Sequence, residues 1–308
     1  MNPRYITPTF EVVTSSSLEL NRVVNYLDLE DPWLMMRNHS NDWEYFYDGC
    51  TKIVSEWESK KMGPLLKLSQ THIEHGWNQL NSMGLPKAAW FVALHVRDAK
   101  AKEIRHGNIL DYIPAIEKIV SEGGWVIRLG DSTMPQLPVM AGVIDYAHCE
   151  VKSDRMDVFL IGACKFFIST NSGPAFAPGF FGKRSIQTNY APLMYNVPYS
   201  SDILLPMLFR SKSDNQLIPF RELLLSPYAH AEYPSAVSGV SVDAIKNSPE
   251  ELLEAVIEML EIVNGEDDSE LRKSPNQKLF QSLCKECNVT IRPLLSEYFM
   301  SNHIDLLR

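Results

Sequence analysis

The sequence predicts an α/β protein built on a doubly wound, mostly parallel sheet. Residues 90–96, WFVALHV, form a continuous apolar run of the kind that is buried on both faces of a parallel sheet. Strand-like runs then alternate with helix-like segments as far as residue 190. This alternation requires right-handed crossovers, which place helices on both faces of the sheet.

Apolar spacing and glycine signals give the element boundaries inside this region. Isoleucines and Tyr112 recur at helical spacing over residues 109–120, and Gly123-Gly124 ends that helix. After the first strand, further strands are predicted at residues 125–129, 142–146, 166–168 and 184–188. The remaining helices are predicted at residues 155–164 and directly after a turn at residues 169–173.

The flanking regions have a different character. Residues 1–88 are irregular, polar and Trp-rich, with one predicted helix near residues 65–80, and residues 190–245 are dominated by loops with short helices such as 220–225. A well-marked helix follows, because Ser248 is a good N-cap and Glu251 completes a capping box with it. The predicted division is therefore residues 1–88, an α/β domain over 89–265, and a helical C-terminal tail over 266–308.

Composition and charge limit the classes of function. The 308 residues are 45% hydrophobic and 22% charged, and 29 Lys and Arg against 38 Asp and Glu give a net charge of −9. That balance argues against broad binding to nucleic acid or anionic membranes, while a local basic pocket for phosphate remains compatible with it. With no signal peptide, no spanning apolar run and only 5 cysteines, we expect a cytoplasmic protein with reduced thiols.

Polar clusters follow three of the predicted strands. His95, Arg97 and Asp98 end the first strand, residues 128–131 end the second, and residues 169–173, STNSG, follow the fourth. Ligands of open parallel sheets bind beyond the carboxyl ends of the strands. The sequence therefore predicts one crevice that these clusters line together.

The third cluster has the composition of an anion site. Thr170, Asn171, Ser172 and Gly173 stand before a predicted helix start, where backbone N–H groups lack acceptors and can bind phosphate. Plain N-capping of that helix is the alternative interpretation. Arg97 strengthens the phosphate interpretation, because its planar guanidinium matches phosphate oxygens and stays charged.

For each of the other polar residues, the sequence is compatible with more than one role. His95 is either a core histidine or a site residue, and Asp98 either acts at the site, pairs with Arg97 or caps the next segment. Arg128 lies in an otherwise apolar strand, so it must either pair with a carboxylate or reach a polar cleft. An ion pair is the favoured interpretation, and Arg128 and Asp131 are retained as candidate substrate-binding residues.

Several common motifs are absent or incomplete. Residues 179–183 end in Gly-Lys, but Ala177 stands where a P-loop requires glycine and Arg184 where it requires Ser or Thr. No GxGxxG follows a strand and no GxSxG is present, which disfavours a dinucleotide site and an α/β-hydrolase. Cys284 and Cys287 form a lone CxxC, for which a structural interpretation is favoured over zinc or redox chemistry.

Longer stretches of the sequence resemble a known family. The segments 94–98 (LHVRD), 108–116 (NILDYIPAI), 123–131 (GGWVIRLGD), 157–168 and 187–190 are similar, in unbroken order, to the TIGR04372 family of bacterial glycosyltransferases. The resemblance covers about residues 90–265. More distantly, the HxR of the first strand and the serine turn after a Phe-rich strand resemble the donor half of GT-B sugar transferases, including fucosyltransferases that use GDP-fucose.

The resemblance implies a reaction and roles for the site residues. It implies metal-independent transfer of a sugar from a nucleoside-diphosphate sugar, with a GDP-sugar favoured, to a hydroxyl of a sugar or lipid-linked acceptor, in surface polysaccharide or glycoconjugate synthesis. Arg97 would hold the diphosphate, backbone amides of Ser172 and Gly173 would bind it, and His95 and Asp98 are candidates for the base. No cofactor is implied beyond the nucleotide sugar, and the oligomeric state is left open.

The sequence departs from the family pattern in two places, and the second of them, the short N-terminal region, motivates a rival interpretation. The loop after Asp98 is short and reads RHGN at residues 105–108, and only about 90 residues precede the donor-like half, where GT-B enzymes have a full second α/β domain. Residues 1–88 would then be a reduced, mainly helical acceptor-side region. The rival is a non-catalytic module that binds nucleotide sugar or a partner, and a metal-dependent phosphate-ester hydrolase is a third interpretation.

Overall fold

The computed structural model describes residues 35–37, 40, 42–98, 104, 106–191, 193, 199–225, 242–265 and 268–307. The chain divides into two compact units, Met1–Met62 and Gly63–Arg308. In the first unit, strand β1 (Met35–Arg37) pairs antiparallel with β2 (Trp43–Tyr45), and helix α1 (Phe46–Ser59) follows directly. The division at residue 62 falls before the boundary at 88 that the sequence predicts.

The strands of the second unit are β3 (Phe91–His95), β4 (Trp125–Leu129), β5 (Val143–Ile144), β6 (Phe167–Thr170), β7 (Ser185–Tyr190), β8 (Ile203–Pro206), β9 (Leu208–Ser211), β10 (Val242–Ile245) and β11 (Leu294–Leu295). Seven of them form one sheet in the order β11-β8-β7-β6-β3-β4-β5, and every pair in it is parallel. The short β9 and β10 form a separate antiparallel pair. The predicted α/β fold with a doubly wound parallel sheet is confirmed.

The helices are α2 (Gln70–Ser82), α3 (Ile113–Ser121), α4 (Asp154–Ala163), α5 (Ala177–Phe180), α6 (Phe220–Leu225), α7 (Pro249–Val263), α8 (Ser269–Arg272), α9 (Pro275–Glu286) and α10 (Glu297–Asn302). Short 3₁₀ helices occupy Ile109–Tyr112, Tyr146–His148, Gly173–Phe176 and Ile304–Leu307. The capping box predicted at Ser248 is present, with the side chains of Ser248 and Glu251 each bonded to the backbone of the other residue.

Helices cover both faces of the sheet because successive strand residues point to opposite sides. Val92 and Leu94 of β3 join the core under α3 and α7, while Phe91 and Ala93 join the core under α2 and α4. Helix α2 approaches α4 closely at Gly76, where an added Cβ would lie 2.2 Å from the Phe159 ring. A third core packs α6, α9 and α10 together at the β8 end of the sheet.

Three parts of the second unit differ from the predicted elements. Helix α2 begins at Gln70, five residues after the predicted start, because Ser69 caps it and accepts a hydrogen bond from the His72 N–H. Strands β8, β9 and β10 all lie within residues 190–245, the region predicted to be dominated by loops. The helical tail also contributes β11, which pairs with β8 and extends the sheet.

Candidate active site at the carboxyl ends of β3 and β6

The order of the strands reverses between β3 and β6. The chain leaves β3 in one direction through β4 and β5, then returns to the other side of β3 at β6 and continues outward to β7, β8 and β11. The loops after β3 and β6 consequently diverge and leave a crevice beyond the carboxyl ends of these two strands. Two of the predicted polar clusters follow these strand ends.

Hydrogen bonds join the two clusters directly. His95 lies opposite Ser169 in the β3–β6 register. Beyond this pair, the Arg97 N–H donates to Thr170 Oγ1 at 2.9 Å. His95 Nδ1 lies 3.1 Å from Ser172 Oγ. The HxR segment and the serine turn, separated by more than 70 residues in sequence, therefore border the same crevice.

The serine turn is buried and held from two sides. Thr170, Asn171 and Ser172 are each less than 7% exposed. Asn171 Nδ2 donates to the Ala191 carbonyl at 2.9 Å, which ties the turn to the end of β7. Ser169, the first residue of the turn, donates its hydroxyl proton to the Thr170 carbonyl at 2.6 Å. These bonds fix the turn before any ligand arrives.

Gly173 opens toward free space beside this turn. It is exposed, and a Cβ built on it would meet nothing within 4 Å. Gly173 is also the first residue of the 3₁₀ helix Gly173–Phe176, so its N–H has no acceptor within that helix. The turn thus offers a donor and room for a ligand at the same place.

Two guanidinium groups act on His95. Burial, and after it the positive charges of Arg128 and Arg97, lower the pKa of His95 to about 4, while Asp131 and Asp157 act in the opposite direction. The imidazole is therefore neutral at pH 7.

Arg128 forms the ion pair that the strand pattern favoured. It is 0% exposed, and its Nη1 donates to Asp145 Oδ1 at 3.0 Å. Asp145 Oδ2 also accepts from the Leu137 N–H at 2.9 Å. Nε and Nη2 of Arg128 have no hydrogen-bond partner among the described residues. Because Arg128 is fully buried in this conformation, a ligand would interact with its charge and would not contact its side chain.

Asp131 and Asp98 are less engaged. Asp131 is exposed and accepts from the N–H and the hydroxyl of Thr133, and these bonds lower the pKa of its carboxyl group. Asp98 is half-buried after Arg97 and makes no hydrogen bond or ion pair with a described residue, so the predicted alternative of an Arg97–Asp98 pair is not found. Arg105, the first residue of the RHGN segment that departs from the family pattern, lies outside the described residues.

A second polar network, at the end of β7, was missed by the sequence analysis. Asn189 adopts a left-handed conformation with φ 47°, which asparagine tolerates better than most residues. The backbone N–H groups of Asn189 and Asn247 each donate to the side-chain oxygen of the other residue, at 2.5 and 2.7 Å. Tyr112 Oη bonds Thr188 Oγ1 at 2.5 Å beneath this pair. The polar run Gln187-Thr188-Asn189 in a buried strand was the available signal.

Within the described ranges, no three His, Cys, Asp or Glu side chains come together as a metal-binding group. The five cysteines are not disulfide-bonded. No helix in the described part of the chain combines the length and apolarity needed to cross a membrane.

Comparison with solved structures gives four matching chains, and the two described below are both sugar transferases. No protein-family model and no curated protein matches the chain. A family 9 glycosyl transferase from Veillonella parvula DSM 2008 matches with a TM-score of 0.36 and 12% identity, over 46% of this chain and 42% of that one. The E. coli ADP-heptose LPS heptosyltransferase II matches with a TM-score of 0.39 and 13% identity, over 65% of this chain and 54% of that one. The chain thus spans about half the length of the solved structures it matches.

Proposed function

We propose that this chain is a glycosyltransferase that binds a nucleoside-diphosphate sugar in the crevice between β3 and β6 and moves the sugar to an acceptor hydroxyl. The observation that carries the proposal is the 2.9 Å hydrogen bond from the Arg97 N–H to Thr170 Oγ1. It brings the guanidinium-bearing segment and the serine turn to one place, at the topological position where open α/β sheets bind their ligands. The sequence resemblance to bacterial glycosyltransferases supports the same site.

The charge distribution suits a diphosphate. Arg97 supplies a permanent positive charge, and Gly173 is exposed, has open space where a Cβ would lie and has an N–H without an acceptor in its own 3₁₀ helix. Arg128, buried beneath, adds a second positive charge that Asp145 compensates. A diphosphate bound at this place would therefore meet a positive charge and a main-chain donor in a protein of net charge −9.

In sugar transfer, negative charge grows on the departing diphosphate while the sugar becomes oxocarbenium-like. Fixed donors aimed at such charge lower the barrier because they need no reorganisation during the reaction, and each is typically worth about 3 kcal/mol. Arg97 and the amides of the serine turn fill this role in the proposal without a metal ion. A GDP-sugar donor, a sugar or lipid-linked acceptor, and a cytoplasmic role in surface polysaccharide synthesis belong to the same proposal.

A non-catalytic module is the second candidate. In the described residues of the first unit, a hairpin and one helix are present rather than a second α/β lobe. Such a module would bind nucleotide sugar without transferring or hydrolysing it. Catalysis therefore separates the two candidates, whereas binding alone does not.

The test is an assay of transfer and donor hydrolysis with GDP-, UDP- and ADP-sugars and a panel of sugar and lipid-linked acceptors. We expect turnover in the wild type, loss of turnover in Arg97→Ala, and turnover in Arg221→Ala, since Arg221 is a surface arginine paired with Glu286. Donor binding without turnover would favour the non-catalytic module. Turnover that survives the addition of EDTA would exclude the metal-dependent phosphate-ester hydrolase.

A further inference from the structure

The hydrogen bonds around His95 have a defined direction. The Thr170 carbonyl can only accept, so Ser169 donates its single hydroxyl proton to it. In its contact with Ser172, at 3.2 Å, Ser169 must then be the acceptor, and Ser172 donates. Ser172 has thereby used its own proton and must accept from His95 Nδ1 at 3.1 Å. The row of bonds ends at the carbonyl and leaves only one arrangement in which every contact is satisfied.

This direction fixes the tautomer of the imidazole. His95 carries its proton on Nδ1, and the lone pair is on Nε2. Among the described residues, the only hydrogen bond of the ring is at Nδ1, and Nε2 is not one of the fully buried atoms that lack a partner. The basic nitrogen of the ring is therefore the one left available at the crevice.

Resting on the proposed function, we propose that Ser169 and Ser172 are positioning residues that hold neutral His95 in its Nδ1–H tautomer, and that His95 Nε2 accepts the proton of the acceptor hydroxyl. The acceptor oxygen bonds to the anomeric carbon as the bond from that carbon to the diphosphate oxygen breaks. The electron pair of the broken bond leaves with the diphosphate, and the hydroxyl proton passes to Nε2. The resulting imidazolium later releases this proton to water.

The surrounding charges couple this base to donor binding. Arg97 after β3 and Arg128 on β4 oppose protonation of His95, whereas Asp131 after β4 and Asp157 on α4 favour it. A bound diphosphate offsets the Arg97 charge, so the affinity of Nε2 for a proton rises when the donor is in place. A base that strengthens on donor binding is matched to the step in which it is needed.

Nitrogen NMR of the histidine rings tests the tautomer without any substrate. With ¹⁵N-histidine labelling and His95→Gln for assignment, we expect the wild type at pH 7 to show His95 protonated on Nδ1 and unprotonated on Nε2. Ser172→Ala, which keeps the backbone amide, should lose this preference, and Ser172→Thr, which keeps the hydroxyl, should retain it. Ser169→Ala is the second variant, and it should weaken the preference because Ser172 is then free to donate to Nδ1. A wild-type ring unprotonated on Nδ1 overturns the proposal.

Kinetics test the role of the base. General-base catalysis contributes about 10²–10⁴-fold, so His95→Gln should lower kcat by about 10²-fold or more while leaving the KM for the donor nearly unchanged. Ser172→Ala should lower kcat with partial rescue in Ser172→Thr. Transfer that survives in His95→Gln contradicts the base but not the proposed function. Absence of transfer in the wild type contradicts the proposed function and the base together, while the NMR result still decides the direction of the bonds.

Discussion

Replacing His95 with glutamine removes an imidazole that the fold keeps neutral. We expect this change to make the free energy of unfolding less sensitive to acid. The pKa of His95 is lowered from 6.5 in the unfolded chain to about 4 in the folded protein, chiefly by burial and then by Arg128 and Arg97. Between these two values the unfolded chain binds more protons than the folded one. The free energy of unfolding therefore falls as the pH falls from 6.5 toward 4.

The size of the effect follows from the shift. One pKa unit corresponds to about 1.4 kcal/mol, so the His95 contribution lost across this window is about 3 kcal/mol. Glu258 acts oppositely in an overlapping window, because burial raises its pKa to about 7. The informative quantity is therefore the difference between the wild type and His95→Gln at each pH, in which the Glu258 contribution is common to both proteins and cancels.

The assay is urea unfolding of both proteins at intervals from pH 7.5 to pH 4. We expect the free energy of unfolding of His95→Gln, relative to that of the wild type, to rise by about 3 kcal/mol as the pH falls through this range. A difference that stays constant with pH would show that the ring titrates normally. The imidazole would then not be buried against Ser172, and the arrangement of the crevice described above would be wrong.

Three further changes probe the structure around the site. Asp145→Ala leaves Arg128 as an uncompensated buried charge and should cost about 3–5 kcal/mol in urea unfolding, whereas a cost near zero would mean that the pair is not buried. Asn189→Ala should destabilise the protein by about 1–2 kcal/mol more than Asn189→Gly, because alanine is strained at φ 47°. Equal free energies of unfolding of the two variants would contradict that conformation. The wild type should lose stability as the pH rises from 4.5 to 7, since the folded protein holds the proton of the Glu258 carboxyl group more tightly than the unfolded chain does. Glu258→Gln should remove this loss. An unchanged pH profile of the variant would contradict the burial of Glu258.

Much of the sheet could be predicted because its central strands are continuous apolar runs. Strand β3 lies within the predicted 90–96, and β4 coincides with the predicted 125–129. Strands β8 and β11 could not be predicted in the same way. Strand β8 has four residues in a region rich in Pro and Ser, and β11 has two, so neither is long enough to show a periodicity.

The candidate site was predictable in its residue types but not in its pairings. Polar residues at strand ends indicated the carboxyl edge of the sheet, yet the adjacency of β3 and β6 depends on the strand order, which local sequence does not contain. Asp145 lay at the end of a predicted strand, but its pairing with Arg128 requires the β4–β5 register. The Asn189–Asn247 pair joins positions 58 residues apart, so the polar run at residues 187–189 could indicate a network but not its partner.

Calorimetric titration of GDP, UDP and ADP into the wild type, Arg97→Ala and Arg221→Ala tests most directly whether Arg97 and the serine turn form one diphosphate site. A hydrogen bond to a charged group contributes about 1.5–3 kcal/mol, which corresponds to about a tenfold or greater change in Kd. We predict one-site binding of at least one nucleoside diphosphate to the wild type and to Arg221→Ala, and at least tenfold weaker binding to Arg97→Ala. Equal affinity in the three proteins, or no binding of any of the nucleotides to the wild type, would contradict the diphosphate site.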